Sequence, residues 1–227
     1  MACGNWSRID LQAEPGVAYV AIPRAGTGTL RALLGKLHAW PTASTVDFPH
    51  SHACTLRELL ETHRARRVLV PLRPLHERVA SFFERSRRRS CRPPAFNPAC
   101  AYPGIVHFMP ALRQRYLDAG AERFVRWLRG DARRSVPVLL QPTAAYLNVS
   151  WAPNGSAVRF VCTHALRKQV VQALRRWGIP DAEHAWDGVA NRHVTNTRVR
   201  LSNASLTFLR TRFAEDYAFV RRHGCGS

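Results

Sequence analysis

The chain has 227 residues, 46% hydrophobic and 22% charged, which is the composition of a globular protein and not of a disordered one. This length predicts one domain spanning residues 1–227, long enough to bury a core without crosslinks. The 34 Lys and Arg against 15 Asp and Glu give a net charge of +19, and Lys occurs only at Lys36 and Lys168. Such a surface favours a polyanionic partner, which composition leaves open among nucleic acid, acidic membrane and acidic glycan.

The cysteine pattern and the glycosylation sequons bear on the compartment. Six cysteines include no C-x-x-C pair, which disfavours a zinc ribbon or a thioredoxin-like motif. Cys91 and Cys100 flank a proline-rich segment, and we expect them to form a disulfide in an oxidising compartment. Four N-x-[ST] sequons, which favour a secretory compartment, begin at Asn5, Asn148, Asn154 and Asn203. No stretch is apolar enough to span a membrane and no signal-peptide core is seen, so either an anchor has been removed, which we expect, or the chain is cytosolic.

An apolar run, a turn of small residues and a helical pattern form the first recognisable unit. Val17–Ile22 is rich in β-branched residues and predicts a buried strand. The apolar spacing over Thr29–His38 predicts a helix. The turn between them contains two glycines, Gly26 and Gly28. Because the first N–H groups of a helix lack partners within it, a strand, such a turn and a helix start together predict an anion site.

The rest of the chain alternates strand and helix patterns. Further strands are predicted at Arg67–Leu72, Val136–Leu140 and Val158–Val161. Helices are predicted at Thr55–Arg64, Leu75–Arg89, Val106–Asp118, Glu122–Leu128, His164–Trp177 and Ser205–Arg222. Ala119-Gly120 is expected to separate two of these helices, and residues 141–157 and 181–200 are expected to be turns and loops. Strands that alternate with helices predict an α/β fold, a parallel sheet with helices on both faces.

The first turn, Pro23-Arg-Ala-Gly-Thr-Gly-Thr-Leu30, resembles the 5′-phosphosulfate loop of sulfotransferases, P-K-x-G-[ST]-[ST]-[ST]-L. Arg24 stands where Lys is usual, as in tyrosylprotein sulfotransferases, and Gly28 stands where Ser or Thr is commoner. The pattern of nucleotide-triphosphate loops, G-x-x-x-x-G-K-[ST], is not met, because it requires another Gly and a Lys. The turn therefore favours a phosphosulfate over a nucleoside triphosphate, and the alternative at this point is an ordinary turn between a strand and a helix.

The segment Arg73-Pro-Leu-His-Glu-Arg-Val-Ala-Ser81 resembles the second sulfotransferase signature, R-D-P-x-x-R-x-x-S. In that family the first Arg and the Ser bind the 3′-phosphate of the donor, 3′-phosphoadenosine 5′-phosphosulfate (PAPS). Arg73 and Ser81 have the same spacing, whereas Pro74 stands where Asp is usual. An Arg fork and a hydroxyl also suit a phosphate dianion on physical grounds.

Two further segments resemble heparan sulfate 2-O-sulfotransferases and their uronyl relatives. Phe48-Pro-His-Ser-His52 resembles their F-x-H-x-H segment, in which the second His is the catalytic base. The resemblance makes His52 the base and His50 an orienting or substrate-contacting group, with Glu58 and His76 as rival bases. Residues 159–166 resemble the strand-to-helix passage of these enzymes, and Leu201–Arg222 resembles their closing helix.

The resemblance implies a P-loop NTPase-like sheet and sulfuryl transfer from PAPS, with 3′-phosphoadenosine 5′-phosphate (PAP) as product, no metal and a Golgi lumenal location. The 5′-phosphosulfate would be held by Arg24, Ala25, Gly26, Thr27, Gly28, Thr29 and Leu30, with Arg24 also neutralising charge on the leaving oxygens. The loop that closes over the donor would contain Thr195, Asn196 and Thr197. Beside the predicted site, an acidic-glycan substrate would meet Arg85, Arg87, Arg88 and Arg89.

Three alternatives remain at this stage. The P-R-x-G-T-x-T-L turn also fits a tyrosylprotein sulfotransferase-like enzyme. Net charge alone fits a nucleic-acid-binding module, although no zinc spacing, recognition helix or RNA-binding strand supports one, and we expect no nucleic-acid partner. Gly28 and Pro74 leave open a catalytically inactive protein that binds polyanions. The acceptor sugar and the oligomeric state do not follow from the sequence.

Overall fold

The computed structural model describes residues 17–36, 55–61, 65–85, 110–130, 141–147, 158–179, 182–187, 189 and 199–226. Its centre is a sheet of three parallel strands in the order β1-β2-β3. These strands are β1 (Val17–Tyr19), β2 (Arg67–Leu72) and β3 (Val158–Cys162). The central strand β2 pairs with both neighbours, since Val68 lies opposite Ala18 of β1 and opposite Val158 of β3.

Helices of the described residues surround this sheet. They are α1 (Thr27–Lys36), α2 (Leu56–Glu61), α3 (Leu75–Arg85), α4 (Pro110–Arg129), α5 (Thr143–Leu147), α6 (Leu166–Arg176), α7 (Ala182–Trp186), α8 (Asn203–Arg212) and α9 (Ala214–Arg222). One turn of 3₁₀ helix, Thr163–Ala165, joins β3 to α6. None of these described helices is both long and apolar enough to cross a bilayer.

Helices cover both faces of the sheet. Val68, Val70 and Leu72 of β2 belong to an apolar cluster with side chains of α2, α5 and α9. Leu69 points the other way and joins a cluster with α1, α6 and α7. Burial on both faces explains why β1 and residues 68–72 of β2 are continuous apolar runs with no polar alternation, whereas β3 carries one arginine, Arg159, that is half-buried. The prediction of an α/β fold with a parallel sheet between helices is confirmed for the described strands.

A third apolar cluster lies where α3, α4 and α8 pack together. Its buried members include Phe83 of α3, Phe124 and Leu128 of α4, and Leu209 of α8. Phe83 and Phe124 are tilted against each other with ring centroids 6.0 Å apart. This cluster fixes the direction of α3, which carries the second predicted donor-binding segment.

Two helix predictions are wrong. The break expected at Ala119-Gly120 is absent, because α4 runs without interruption from Pro110 to Arg129. A glycine inside a helix costs only about 1 kcal/mol, which the burial of the apolar face of α4 outweighs. The single helix expected over Ser205–Arg222 is instead two helices, interrupted at Phe213 with φ −117° and ψ 38°. The break lets α8 pack on α3 and α4 while α9 reaches the sheet.

Two segments expected to be loops contain short helices. α5 lies within residues 141–157, and α7 lies within residues 181–200. Each is held by tertiary burial, since Tyr146 and Leu147 of α5 and Ala182 of α7 lie in the two clusters that cover the sheet. The predicted strand Val136–Leu140 and the predicted Cys91–Cys100 disulfide lie outside the described residues.

A disulfide that the sequence did not predict joins Cys162, the last residue of β3, to Cys225. The two Cα atoms are 4.9 Å apart, and both side chains are buried. The bond closes a loop over a sequence separation of 63 and ties the end of the chain described here to the sheet.

Replacing both cysteines, Cys162→Ala with Cys225→Ala, should lower the free energy of unfolding by about 4 kcal/mol, the loop-entropy value for a ring of this size. Urea unfolding of the wild type and the double variant at the same pH measures this difference in free energy. Each single Ala variant should lose nearly as much as the double variant, because one cysteine cannot form the bond alone. Additive losses from the two single variants would contradict the crosslink as the source.

Candidate functional site

Three loops leave the sheet at one edge, because the three strands are parallel. The loop after β1 contains Arg24, Arg73 follows β2 directly, and Thr163 follows β3. In open parallel sheets, the carboxyl edge of the strands is where ligands bind. The first and second predicted donor segments therefore lie on adjacent strands of the same edge.

The loop after β1 contains a tight turn. The Ala25 amide donates to the Ile22 carbonyl at 3.2 Å, so residues 22–25 form a β-turn with Pro23 at its second position. Arg24, at the third position, has φ +65°. Proline followed by a residue of positive φ is the arrangement of a type II turn, which glycine usually occupies at that third position. A non-glycine residue there is strained by roughly 1–2 kcal/mol.

Gly26 follows this turn and also has positive φ, +86°. A Cβ atom at Gly26 would lie 2.9 Å from Leu166 Cδ2 and 3.6 Å from Thr163 Cγ2, so the loop approaches the start of α6 closely. Gly28 differs, because a Cβ atom there would meet nothing within 4 Å. Only Gly26 is required by the backbone and by the space around it.

Some of the backbone amides at the start of α1 already have a hydrogen-bond acceptor within the protein, and others could bind an anion. Thr29 and Leu30 both donate to the Gly26 carbonyl, at 3.0 and 3.1 Å. Within the described part of the chain, the amides of Gly26, Thr27 and Gly28 have no acceptor. The predicted donor residue Leu30 has its side chain fully buried in the core, and so does Ala25. An anion at this turn would therefore meet backbone N–H groups of residues 26–28.

Two arginines of the second segment hold the first loop. Arg73 Nη1 donates to the Arg24 carbonyl at 3.2 Å, and Arg73 Nε pairs with Glu77 Oε2 at 3.0 Å. Arg78 Nε donates to the Pro23 carbonyl at 3.1 Å. Two successive carbonyls of the turn are thus bound, one by the residue that follows β2 and one by a residue of α3. This contact brings the two predicted donor segments together.

Three predicted residues lie on or over α3. The Arg24 guanidinium carbon lies 5.6 Å from the centroid of the Phe82 ring, in a cation–π contact. Ser81 precedes Phe82 and is half-buried, and no described hydrogen bond joins it to the loop. Arg85 is the last residue of α3.

Arg78 lies in a buried polar cluster that the sequence analysis did not assign. Its side chain is fully buried, and its guanidinium carbon lies 5.6 Å from the centroid of the Tyr146 ring. Asp216 of α9 is also buried and accepts a hydrogen bond from the Thr143 amide at 2.5 Å. Burial lowers the pKa of Arg78 and raises the pKa of Asp216, whereas their mutual attraction opposes both shifts. The signal was present in the sequence, since Arg78 lies at an apolar position of α3 between Leu75 and Phe83.

The rival bases have structural partners. Glu58 and Thr55 form a capping box at the start of α2: the Thr55 amide donates to Glu58 Oε2 at 2.8 Å, and the Glu58 amide donates to Thr55 Oγ1 at 3.2 Å. The His76 ring stacks on Tyr217 with centroids 5.7 Å apart, and its Nδ1 lies 3.1 Å from the Tyr217 hydroxyl. Both residues stabilise helix contacts, which weakens the case for either as a base.

Several predicted site residues lie outside the described residues. They are His50, His52, Arg87, Arg88, Arg89, Thr195, Asn196 and Thr197. The predicted roles of these residues remain predictions. In the part of the chain that is described, no group of His, Cys, Asp and Glu has the arrangement of a metal site.

No family model, curated protein or solved structure matches this chain. The assignment of the site therefore depends on its own residues and on the geometry of the loops.

Gly26→Ala should lower the free energy of unfolding by at least 1 kcal/mol, because alanine is strained at φ +86°. Gly28→Ala, at the second residue of α1, is the matched control. It should raise the free energy of unfolding by about 0.4–1 kcal/mol, since the added methyl group has space and reduces the freedom of the unfolded chain. Denaturant unfolding of the two variants tests both signs. A loss of stability in Gly28→Ala equal to that in Gly26→Ala would be inconsistent with this loop geometry.

Stability should fall in mild acid because of His76. Burial lowers the pKa of His76 below its usual 6.5, and the nearby positive charges of Arg210 and Arg73 lower this pKa further. The negative charge of Glu77 raises the pKa of His76 but does not outweigh these effects. As pH falls below about 6.5, the unfolded chain binds a proton before the folded protein does, so stability is lost as pH approaches the folded pKa. Unfolding free energies at pH 7.5 and 5.5 should differ less in His76→Phe than in the wild type. Equal differences would show that His76 titrates alike in both states.

Proposed function

We propose that this protein is a sulfotransferase, which transfers the sulfuryl group of PAPS to a hydroxyl of an acidic, glycosaminoglycan-like polysaccharide. The resemblance in the sequence suggests the 2-O position of a uronic acid. One observation carries the proposal. The two segments that resemble donor-binding loops are hydrogen-bonded to each other, through Arg73 to the Arg24 carbonyl at 3.2 Å and Arg78 to the Pro23 carbonyl at 3.1 Å.

The geometry is compatible with the two charged ends of the donor. The amides of residues 26–28 and the guanidinium of Arg24 would bind the 5′-phosphosulfate. Arg73, with about a quarter of its side chain exposed, would bind the 3′-phosphate together with Ser81. Glu77 already pairs with Arg73, so it fixes the guanidinium but also reduces the net positive charge that the phosphate would meet.

The proposed reaction is an in-line transfer. The acceptor oxygen forms a bond to sulfur while the bond from sulfur to the bridging phosphate oxygen breaks. The electron pair leaves with that oxygen in PAP, and the acceptor proton passes to His52, since the unperturbed pKa of a histidine side chain suits proton transfer near neutral pH. Arg24 stabilises the charge on the leaving oxygen, but cannot protonate it, because a guanidinium does not give up its proton at neutral pH.

The proposed substrate and compartment follow from charge and cysteine chemistry. A net charge of +19, with Arg85 to Arg89 beyond the end of the second segment, favours an acidic glycan. The Cys162–Cys225 disulfide is typical of an oxidising compartment, which supports the Golgi lumen.

The test measures PAP binding by calorimetry and the transfer of labelled sulfate from PAPS to heparosan, to chondroitin or dermatan, and to an acidic tyrosine peptide. We expect PAP to bind much more tightly than adenosine 5′-phosphosulfate, which lacks the 3′-phosphate, and transfer to occur to a polysaccharide. Arg73→Ala should weaken PAP binding roughly tenfold or more, because it removes a charged donor to the phosphate. His52→Ala should lower kcat roughly a hundredfold with PAP affinity unchanged.

Arg66→Ala is the matched control, since it removes an exposed arginine that directly precedes β2, whereas Arg73 directly follows that strand. It should leave PAP binding unchanged. Transfer of sulfate to the tyrosine peptide and to neither polysaccharide would show that the acceptor is a protein and not a glycan. Glycan binding without PAP binding or transfer would identify a non-catalytic polyanion-binding domain and overturn the proposal.

A further inference from the structure

The central peptide of the turn after β1, which joins Pro23 to Arg24, accepts a hydrogen bond from a fully buried cation. In a β-turn, the peptide between the second and third positions faces opposite ways in types I and II. Here its oxygen is the Pro23 carbonyl, which accepts a hydrogen bond from Arg78 Nε at 3.1 Å. The next residue, Arg24, has φ +65°, as at the third position of a type II turn, whereas a type I turn has negative φ there.

The orientation of this peptide is costly without an external partner. Proline at the second position suits both turn types, whereas arginine at the third position favours negative φ. The intrinsic preference of the sequence is therefore a type I turn. Since the observed φ opposes that preference, some contact must hold the peptide.

Arg78 is well suited to be that contact, because it is itself immobilised. Its side chain is fully buried beside Tyr146, and Asp216 supplies a compensating negative charge. A buried guanidinium cannot exchange its protein acceptors for water. Breaking its hydrogen bond to the Pro23 carbonyl would therefore leave a buried charged donor without an acceptor, which costs much free energy.

We infer that Arg78 is a positioning residue, which holds the Pro23–Arg24 peptide in the type II orientation and thereby directs the guanidinium of Arg24 over Phe82. This role of Arg78 has two parts. Its consequence for donor binding rests on the proposed function. Its conformational part concerns the chain alone: without Arg78, residue 24 leaves the left-handed region and its side chain changes direction.

The conformational part is tested by comparing glycine and alanine at position 24. In the wild-type background, Arg24→Gly should unfold at a higher temperature than Arg24→Ala, because alanine is strained at positive φ. In an Arg78→Met background this order should reverse or the difference should vanish, since the turn is free to adopt negative φ. Arg78→Lys, which retains a charged donor, should restore part of the glycine advantage.

Val79→Ala is the matched control, because it removes buried volume from the next residue of α3, which packs in the α3–α4–α8 cluster. The glycine advantage at position 24 should persist in it. Should Arg78→Met not fold, Arg78→Gln provides a second neutral background with a shorter side chain. An alanine variant as stable as the glycine variant with Arg78 intact, or a glycine advantage that is unchanged in Arg78→Met, overturns the inference.

Binding of PAP connects this role to the donor site. Arg78→Met should weaken PAP binding roughly tenfold, whereas Val79→Ala should leave it unchanged. If wild-type protein does not bind PAP, the proposed function fails while the stability comparison at position 24 still decides the role of Arg78. If PAP binds wild type and Arg78→Met equally, Arg78 does not position the donor loop.

Discussion

Strand β2 has a parallel partner on each side, and the rest of the structure depends on this pairing. It requires the chain to leave β1, β2 and β3 at one edge, so that residues far apart in sequence become neighbours there. It also buries both faces of the sheet, which explains the need for helices on each side. The segments at that edge then lie close together: Gly26 leaves no space for a side chain beside Leu166 of α6, and Arg73 bonds to the Arg24 carbonyl.

The sheet and its edge could be predicted because each of their signals is local. β1 and most of β2 are continuous apolar runs, and Gly26 lies between a strand and a helix. The errors arise where tertiary packing decides. Gly120 is tolerated inside α4 because the helix buries a long apolar face, and Phe213 ends a helix although no Gly or Pro marks the position. Such outcomes depend on partners that no sequence window contains.

The candidate site shows the same division. The spacing between Arg73 and Ser81 and the position of the first turn could be read directly from the sequence. The hydrogen bond from buried Arg78 to Pro23 could not, because an arginine on an amphipathic helix ordinarily faces solvent, although its place among the apolar residues of α3 was visible. Nor could the pairing of Arg73 with Glu77, which makes the charge of the second segment smaller than a count of arginines suggests. The capping box of Thr55 and Glu58 likewise shows that a carboxylate near a predicted site can have a purely local purpose.

The disulfide between Cys162 and Cys225 gives the protein a covalent ring. The ring begins at the carboxyl end of β3, includes α6, α7, α8 and α9, and returns to the sheet. Within it lie Thr163 and Leu166, which border Gly26, and Asp216, whose charge attracts that of Arg78. The carboxyl end of α9 therefore stays joined to the end of β3, and α9 cannot move away from the sheet at that end. Because Cys162 lies at the same edge of the sheet as the loops of the candidate site, the disulfide restricts the motion of α6 to α9 relative to that site.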